Sequence, residues 1–223
     1  MNGRQDDGEP GRNQPVGDHY YSREPESASR PAVCETEYRG RKLRFETDAG
    51  VFSRGELDTG TRLLLEALPE RLEGDVLDLG CGWGAVGVSV GKAFPETRVT
   101  MTDVNLRALE LARKNARANG VAAECLESDG LEALRGRTFD AVITNPPIRA
   151  GKQVIYRLFA GAAEALNPGG ALFLVIRKQQ GAESCLRYLA TIFARVEKLD
   201  RSGGFWVIRA AEPLPVAGKN TTP

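Results

Sequence analysis

The sequence predicts an α/β fold: an open, doubly wound, mostly parallel sheet of seven strands, preceded by a β-hairpin. Three observations lead to this prediction. From residue 58 onward, short runs rich in Val, Ile and Leu alternate with helical patterns, as expected for strands that are buried on both faces. The first of these runs ends in a glycine-rich turn, as in nucleotide-binding parallel sheets. Two last runs surround Ser202-Gly203-Gly204, which favours a closing antiparallel pair.

Each element follows from its local pattern. Residues 33–39 and 42–47 alternate polar and apolar side chains around Arg39-Gly40-Arg41, which predicts the hairpin. Asp58 is a capping residue before an apolar helical face. The strands of the main sheet are then expected at residues 75–79, 98–103, 124–127, 139–144, 171–177, 195–199 and 205–209. Helices are expected at residues 85–94, 106–119, 152–166 and 181–193.

The chain length of 223 residues and the 41% hydrophobic content fit one domain with a tail. We expect a mobile tail over residues 1–31, a domain over residues 32–211 and a disordered tail over residues 212–223, because the ends offer little apolar surface to bury. The aromatic side chains of His19-Tyr20-Tyr21 are interpreted as an anchor on the domain without a chemical role.

The charges are balanced: thirty basic and thirty acidic residues give a formal net charge of zero. No global field therefore attracts nucleic acid or a membrane, and any RNA contact must use a local basic patch. The four cysteines are far apart and only one histidine is present, so we expect free thiols and no metal site. Without an apolar stretch of about 20 residues or a secretory signal, the prediction is a cytoplasmic protein.

The segment Val76-Leu77-Asp78-Leu79-Gly80-Cys81-Gly82-Trp83-Gly84 predicts a cofactor site. Glycines in the turn let a ligand approach the backbone closely. The spacing from Gly80 to Ala85 also meets the dinucleotide fingerprint, so a nicotinamide or flavin enzyme is an alternative. Asp78 favours S-adenosylmethionine, because a carboxylate repels a pyrophosphate but attracts an ammonium and a sulfonium.

Two further carboxylates follow the next two strands. Asp103 stands about 20 residues beyond the turn, where it can accept hydrogen bonds from both ribose hydroxyls. It is equally suited to capping the following helix. Asp129 can accept a hydrogen bond from the adenine amino group, although such a residue is more often part of a turn.

Asn145-Pro146-Pro147 follows the fourth strand of the sheet and predicts a site for a methyl acceptor. The prolines fix the backbone, so that the Asn145 side-chain oxygen and the Pro146 carbonyl form two rigid hydrogen-bond acceptors. Such acceptors can turn the lone pair of a conjugated amine toward a methyl group without a strong base. Beside them, Arg149 and Lys152 either bind an RNA phosphate or are solvated surface charges, and Arg177-Lys178 extends this basic rim.

With these residues in view, the chain resembles class I S-adenosylmethionine methyltransferases. The more specific likeness is to the single-domain bacterial type of the small-subunit ribosomal RNA guanine-N2 methyltransferase family. The motifs that carry it are His19-Tyr20-Tyr21-Ser22, Gly50-Val51-Phe52-Ser53, Asp58-x-Gly60, Asp78-Leu79-Gly80-Cys81-Gly82-x-Gly84, Asp103-Val104-Asn105, Asn145-Pro146-Pro147-Ile148-Arg149-Ala150-Gly151-Lys152 and Leu166-Asn167-Pro168-Gly169-Gly170.

The resemblance implies a Rossmann-like fold, S-adenosylmethionine as the cofactor, and ribosomal RNA or the small ribosomal subunit as the partner. The implied cofactor residues are Phe52 as a cover, Asp78, Gly80, Cys81 and Gly82 at the methionine end, Asp103 and Val104 at the ribose, and Asp129 and Gly130 at the adenine. The implied acceptor residues are Asn145 and Pro146 at the amine, with Pro147, Arg149 and Lys152 contacting the substrate.

Two departures from the family pattern affect substrate recognition. Ile148 stands where many amine methyltransferases have an aromatic ring that stacks on a flipped base. The remaining candidates for stacking are Phe52, Tyr156 and Phe205, each of which is also suited to the core. Some family members carry a second, degenerate domain that helps to bind RNA, and 223 residues leave no room for one.

Other functions stay open at this point. A protein glutamine methyltransferase meets the same chemical problem with the same tetrapeptide, but Ile148 argues against it. A non-catalytic RNA-binding or ribosome-assembly protein could keep the fold, and the intact Asn145-Pro146 argues against that. A dehydrogenase is the alternative that Asp78 disfavours.

Overall fold

The computed structural model describes residues 28–215, and its main feature is a seven-stranded sheet. The order of the strands in this sheet is β5-β4-β3-β6-β7-β9-β8. The strands are β1 Ala32–Tyr38, β2 Arg41–Thr47, β3 Gly74–Leu79, β4 Thr97–Asp103, β5 Ala123–Glu127, β6 Phe139–Thr144, β7 Leu166–Arg177, β8 Phe193–Asp200 and β9 Phe205–Pro213. The helices are α1 Thr59–Glu66, α2 Ala85–Ala93, α3 Leu106–Ala118, α4 Lys152–Glu164 and α5 Ala182–Ile192.

The strand directions confirm the predicted fold class. Strands β3 to β7 are parallel, whereas β9 pairs antiparallel with both β7 and β8. The chain runs outward from β3 through β4 to β5 and then returns to β6 on the other side of β3. Ligands of such sheets bind where the order reverses, outside the carboxyl ends of the strands. The fold therefore directs attention to the ends of β3, β4 and β6.

The sheet separates two hydrophobic cores, because successive side chains of a strand point to opposite faces. Val76 of β3 packs with α1, α2, α3 and the hairpin β1-β2, whereas its neighbour Leu77 packs with α4 and α5. The same alternation holds in β7, where Phe173 and Leu174 belong to different cores. The sheet is thus buried on both faces, as the apolar runs predicted.

The element boundaries agree with the sequence to within two residues, except that β7 begins earlier and β9 extends to Pro213, beyond the predicted strand 205–209. We expected helix α4 to reach residue 166 and the next strand to begin at residue 171, but α4 ends at Glu164 and β7 begins at Leu166. Leu166 is the register partner of Phe139 in β6, and the register shifts before Ala141 pairs with Ala171. The segment Asn167-Pro168-Gly169-Gly170 is therefore an irregular part of the strand and not a separate loop.

The hairpin is attached to the domain by two asparagines of α3. Asn119 Oδ1 accepts from Arg44 N at 3.1 Å and its Nδ2 donates to Arg44 O at 2.9 Å. One helical turn earlier, Asn115 makes the same pair of bonds with Glu46 at 2.7 and 2.9 Å, and its Nδ2 also donates to Trp83 O at 2.8 Å. These side chains satisfy the outer edge of β2 as a neighbouring strand would.

The predicted tails lie largely beyond residues 28–215. The motif His19-Tyr20-Tyr21 is outside the described residues, so its role as an anchor stays a prediction. At the other end, β9 continues to Pro213, two residues past the domain boundary that we expected. In the part of the chain that the structure describes, no helix is long and apolar enough to cross a membrane.

Replacing Asn115 with Ala is expected to destabilise the protein more than a typical substitution on a surface helix does. The change leaves backbone groups of Glu46 and Trp83 buried without partners, at a cost of about 1 to 3 kcal/mol. A thermal unfolding scan should show a melting temperature lower by several degrees, since about 1 kcal/mol shifts it by roughly 2 to 4 °C in a chain of this size. The control is Lys114→Ala on the exposed face of α3. Equal melting temperatures for both variants would contradict the assigned role.

Candidate functional site

A pocket of about 330 Å³ opens at the carboxyl ends of β3, β4 and β6. It combines residues that the sequence places far apart, including the glycine turn, the strand-end carboxylates and the tetrapeptide after β6. The sequence-predicted residues on its wall are Phe52, Asp78, Gly80, Cys81, Gly82, Asp103, Val104, Asp129, Gly130, Asn145, Pro146 and Pro147. The pocket therefore unites the two predicted halves of the site.

The glycine turn presents bare backbone to this pocket. Gly80 and Gly82 have φ angles of +74° and +55°, and a Cβ at either position would meet no atom within 4 Å. The turn is anchored to the next strand, because Gly80 N and Cys81 N both donate to Thr102 O, at 2.9 and 2.8 Å. Its conformation favours glycine, and the open space beside it lets a ligand contact the main chain.

Asp78 is the last but one residue of β3 and is 2% exposed. Its Oδ2 accepts a hydrogen bond from Gly87 N in the first turn of α2, at 2.7 Å. The pKa of the Asp78 carboxyl is raised to about 7, mainly by burial and to a smaller extent by the nearby charge of Asp103, whereas the bond from Gly87 acts in the opposite direction. A cation in the pocket would favour the ionised form of this carboxyl.

Asp103 ends β4 and holds the glycine turn in place. Its Oδ2 accepts from Gly82 N at 2.8 Å, and its Oδ1 accepts from Asn105 N at 2.9 Å. The cap of helix α3 is Asn105, whose Oδ1 accepts from Ala108 N at 3.0 Å, so the alternative that Asp103 caps this helix is wrong. Burial raises the pKa of Asp103, and its backbone hydrogen bonds lower it. Two partly uncompensated carboxylates thus give the pocket an acidic end.

Two further groups at this end bear on what the pocket can bind. Within the described residues, Thr102 Oγ1 is a buried side-chain oxygen without a hydrogen-bond partner, and Thr102 lines the pocket. A buried hydroxyl without a partner costs free energy, which a polar ligand can offset. Burial, together with the charges of Asp103 and Asp78, raises the pKa of the Cys81 thiol well above its usual value. The thiol stays protonated and is not a nucleophile.

Asp129 lines the pocket two residues after the end of β5. Its Oδ1 accepts from Arg157 Nη2 of α4 at 2.6 Å, and both side chains are about half exposed. An ion pair with this exposure contributes little to stability. Both side chains line the pocket beside Gly130. Sequence reasoning did not identify Arg157 as a partner of Asp129.

On the acceptor side, Asn145 is oriented by helix α1. Its Nδ2 donates to Thr61 Oγ1 at 3.0 Å and to Asp58 Oδ2 at 3.4 Å. Asp58 also caps α1, since its Oδ1 accepts from Gly60 N at 2.9 Å and from Thr61 N at 3.3 Å. Both Asp58 and Thr61 line the pocket. The sequence predicted Asp58 as a cap, but its contact with Asn145 was missed.

Phe52, the predicted cover, lines the pocket. The residue is 39% exposed. Its carbonyl accepts from Trp83 Nε1 at 2.7 Å. The preceding residues are held by α3, because Asn105 Nδ2 donates to Gly50 O and Arg107 Nη1 to Ala49 O, each at 3.0 Å. The backbone that carries Phe52 is thus tied to the glycine turn and to α3.

The other two stacking candidates do not line the pocket. Tyr156 stacks on Tyr188 of α5, with ring centroids 3.9 Å apart. The Phe205 ring packs under the Arg177 guanidinium, whose carbon lies 4.8 Å from the ring centroid. Of the three aromatic residues, the structure brings only Phe52 to the predicted site.

The predicted cations lie at the rim. Arg149 and Lys152 are exposed and do not belong to the pocket wall, whereas Ala150 between them does. The described residues contain no group of three or more His, Cys, Asp or Glu side chains that could hold a metal ion. The wall also contains residues that sequence reasoning did not assign to the site, because they are apolar, small or on other elements: Leu79, Trp83, Ala85, Val86, Ala108, Ser128, Val154 and Leu158.

Comparison with known proteins places these residues in a family context. Residues 42–209 match the family described as methyltransferase small domain. The chain is 38% identical over 198 residues to "Uncharacterized protein YbxB" of Bacillus subtilis, which covers 87% of this chain and 98% of that protein. It is 42% identical over 140 residues to "Ribosomal RNA small subunit methyltransferase C" of Hahella chejuensis. This aligned region covers 61% of this chain and 41% of the relative.

A solved structure is similar over most of the domain. It is the T. thermophilus 16S rRNA N2 G1207 methyltransferase in complex with AdoMet and guanosine, with a TM-score of 0.69 and 30% sequence identity. The match covers 82% of this chain and 50% of that chain. The chain thus spans about half the length or less of these two ribosomal RNA methyltransferases, but nearly the whole Bacillus protein.

Asp78→Asn is expected to stabilise the protein at alkaline pH. The folded-state pKa of about 7 is above the ordinary value of 3.8, so the folded protein binds the proton more tightly than the unfolded chain. The stability contributed by protonated Asp78 is therefore complete below pH 4 and is lost as the pH rises through 7. We expect the wild type, but not the variant, to lose on the order of 2 to 4 kcal/mol through this group between pH 4 and pH 8.

Urea unfolding at several pH values measures this difference. Glu110→Gln, which changes an exposed carboxylate on α3, is the control and should keep the wild-type pH dependence. If Asp78→Asn and the wild type show parallel stability profiles, the carboxyl does not titrate in this range.

Proposed function

The chain belongs to the methyltransferase small-domain family, and we propose that it transfers a methyl group from S-adenosylmethionine to an exocyclic amine. The acceptor that we propose is guanine N2 of small-subunit ribosomal RNA. The observation that carries the proposal is one pocket whose wall combines the acidic glycine turn around Asp78 with Asn145 and Pro146. Two similar proteins are named as ribosomal RNA methyltransferases, which supports the RNA substrate.

The chemistry of the pocket fits this cofactor. When bound, S-adenosylmethionine supplies a methyl group that is activated by a positively charged sulfur. Asp78 would attract the ammonium and the sulfonium, and the bare backbone at Gly80 and Gly82 leaves room for close contact. Asp103 would hold the ribose, since the three backbone amides that donate to it use only part of the accepting capacity of its two oxygens. Asp129 would accept from the adenine amine, in competition with Arg157.

On the acceptor side, the pocket offers hydrogen-bond acceptors and no strong base. An amine conjugated to a ring is a weak nucleophile, because its lone pair is delocalised. Asn145 Oδ1 and the Pro146 carbonyl would accept its hydrogens and stabilise the positive charge that develops on nitrogen. The pocket wall also contains apolar residues, including Pro147 and Val154, which do not compete with the amine for these acceptors. Positioning of the amine against the methyl group then lowers the barrier.

A local basic rim supports an RNA substrate despite the zero net charge. Arg149 and Lys152 flank the acceptor side, and Lys152 is the first residue of α4, where backbone amides add positive potential. Exposed cations beside a pocket position RNA through phosphates without reading sequence. The target base must leave its stack to reach Asn145, which favours an unpaired or flipped nucleotide.

The proposed activity is tested with RNA and small subunits from a strain that lacks the gene. Incubation with the purified protein and methyl-labelled S-adenosylmethionine should place label in N2-methylguanine of small-subunit RNA, as identified by mass spectrometry. Asn145→Ala should reduce the rate by at least about 100-fold with nearly unchanged cofactor affinity, because it removes an interaction made mainly in the transition state. The control is Asn167→Ala, on β7 outside the pocket wall.

Three outcomes would overturn the assignment in different ways. Label in ribosomal protein glutamine would favour a protein substrate, and label at another RNA amine would replace guanine N2. Cofactor binding without any transfer to RNA or protein would leave a binding protein that retains the fold.

Cofactor affinity is expected to rise with pH because of Asp78. A cationic ligand binds the ionised carboxylate, and the Asp78 pKa of about 7 means that binding at pH 6 must release a proton. Between pH 5.5 and pH 7.5 the affinity should increase by roughly 25-fold, with a slope approaching about tenfold per pH unit well below the pKa. Calorimetry in two buffers of different ionisation enthalpy measures the proton release. Asp78→Asn should bind weakly and without this proton release; an identical release in the variant would contradict the role.

A further inference from the structure

We propose that Asp58 and Thr61 are positioning residues for the acceptor amine, because they fix the side-chain amide of Asn145 with its oxygen available to the pocket. This inference rests on the proposed function, since it assigns the contact that Asn145 Oδ1 makes to the amine. It adds a requirement for two residues on α1, a helix that is separated from Asn145 by more than 80 residues of sequence.

An asparagine amide needs such fixing because its two ends are similar in size. Rotation about its last side-chain bond is broad and roughly two-fold, so exchange of Oδ1 and Nδ2 costs little by itself. In one orientation the pocket meets an acceptor, and in the other it meets an NH₂ donor. Only the first suits an amine, whose own hydrogens are donors.

Asp58 determines which orientation is stable. A carboxylate has no hydrogen to donate, so the group facing Asp58 Oδ2 must be the NH₂ of Asn145. That contact, at 3.4 Å, is long, and the shorter bond at 3.0 Å goes to Thr61 Oγ1. Together the two neighbours use both hydrogens of Nδ2. Within residues 28–215, no group donates to Asn145 Oδ1, which is left for a ligand.

The two positioning groups are themselves held by the fold. Asp58 Oδ1 accepts from the first amides of α1, where the helix dipole also stabilises a negative charge. Thr61 is 4% exposed, and the following Leu64 and Leu65 are buried in the core on the same face of the sheet. Neither side chain needs to reorganise when an amine arrives, which is the condition for preorganised stabilisation.

The negative charge of Asp58 also makes Asn145 Oδ1 a stronger hydrogen-bond acceptor. Hydrogen bonds in series polarise one another, so donation from Nδ2 to Asp58 increases the partial negative charge on Oδ1. The nitrogen of the amine becomes positive during transfer, and the interaction with Oδ1 therefore grows toward the transition state. Removing the positioning residues should therefore lower kcat more than it changes KM.

The test compares three single changes on α1. Thr61→Val keeps the shape of the side chain but cannot bond to Asn145, and kcat for methyl transfer should fall on the order of tenfold. Thr61→Ser keeps the hydroxyl and should return kcat to within about twofold of the wild type. Thr59→Val makes the same chemical change at an exposed position of the same helix and should have no effect. The KM for S-adenosylmethionine should stay unchanged in all three.

Asp58→Asn provides a second variant, because asparagine caps a helix as well as aspartate does. Its NH₂ group can face Asn145 and favour the flipped amide, so kcat should fall here too while α1 stays folded by circular dichroism. A Thr61→Val enzyme with wild-type kcat, or a loss that Thr61→Ser fails to restore, would overturn the proposal.

A readout without activity separates this proposal from the proposed function. In a ¹⁵N NMR spectrum, the Asn145 side-chain NH₂ pair, assigned by its absence in Asn145→Ala, should exchange slowly with solvent in the wild type. It should exchange faster in Thr61→Val and stay slow in Thr59→Val. Slow exchange in a protein that methylates nothing would refute the proposed function and retain the positioning. Fast exchange in the wild type would refute the positioning, whatever the activity.

Discussion

The buried carboxylate of Asp78 is the interaction on which the architecture of the site depends. It lies one residue before the end of β3, accepts a hydrogen bond from the Gly87 amide of α2 and stands close enough to Asp103 for the charge of Asp103 to oppose its ionisation. A folded protein gains nothing from such a group, because burial of a weakly compensated charge costs free energy. A cationic ligand removes that cost. The pocket is therefore an acidic site at which binding affinity is obtained at the expense of stability in the free protein.

The same turn connects three parts of the chain that would otherwise be independent. Asp103 holds Gly82, the neighbouring Asn105 caps α3, and Asn105 Nδ2 also bonds to Gly50 in the loop after the hairpin. Further along α3, Asn115 bonds to both the hairpin and Trp83. The hairpin is thus connected to the pocket through α3, although the wall itself contains none of its residues. A disturbance of these asparagines would reach Phe52, which is two residues past Gly50.

The sequence was sufficient for the sheet, because hydrophobic periodicity and glycine turns are local signals. It also located the residues at strand ends, since parallel strands bring their carboxyl ends to one edge. It did not predict that Asn145 contacts Asp58 and Thr61, or that Arg157 pairs with Asp129. Such contacts depend on how α1 and α4 pack across the sheet. The irregular start of β7 was missed for a related reason: its pairing with β6 is tertiary, whereas its Pro and Gly residues indicate a loop.

Under the proposed function, the two sides of the pocket would bind their ligands through different interactions. The cofactor side would rely on the charges of Asp78 and Asp103, whereas the acceptor side would rely on neutral acceptors that α1 and the prolines fix in place. Ile148 is half-buried and packs on the core beside α4, so it supplies no ring. Trp83 lines the pocket but is buried against Phe45. Phe52 combines a partly exposed ring with a backbone that Trp83 holds. Under the proposed function, Phe52 is therefore the candidate that we retain for the aromatic contact expected after Asn145-Pro146-Pro147.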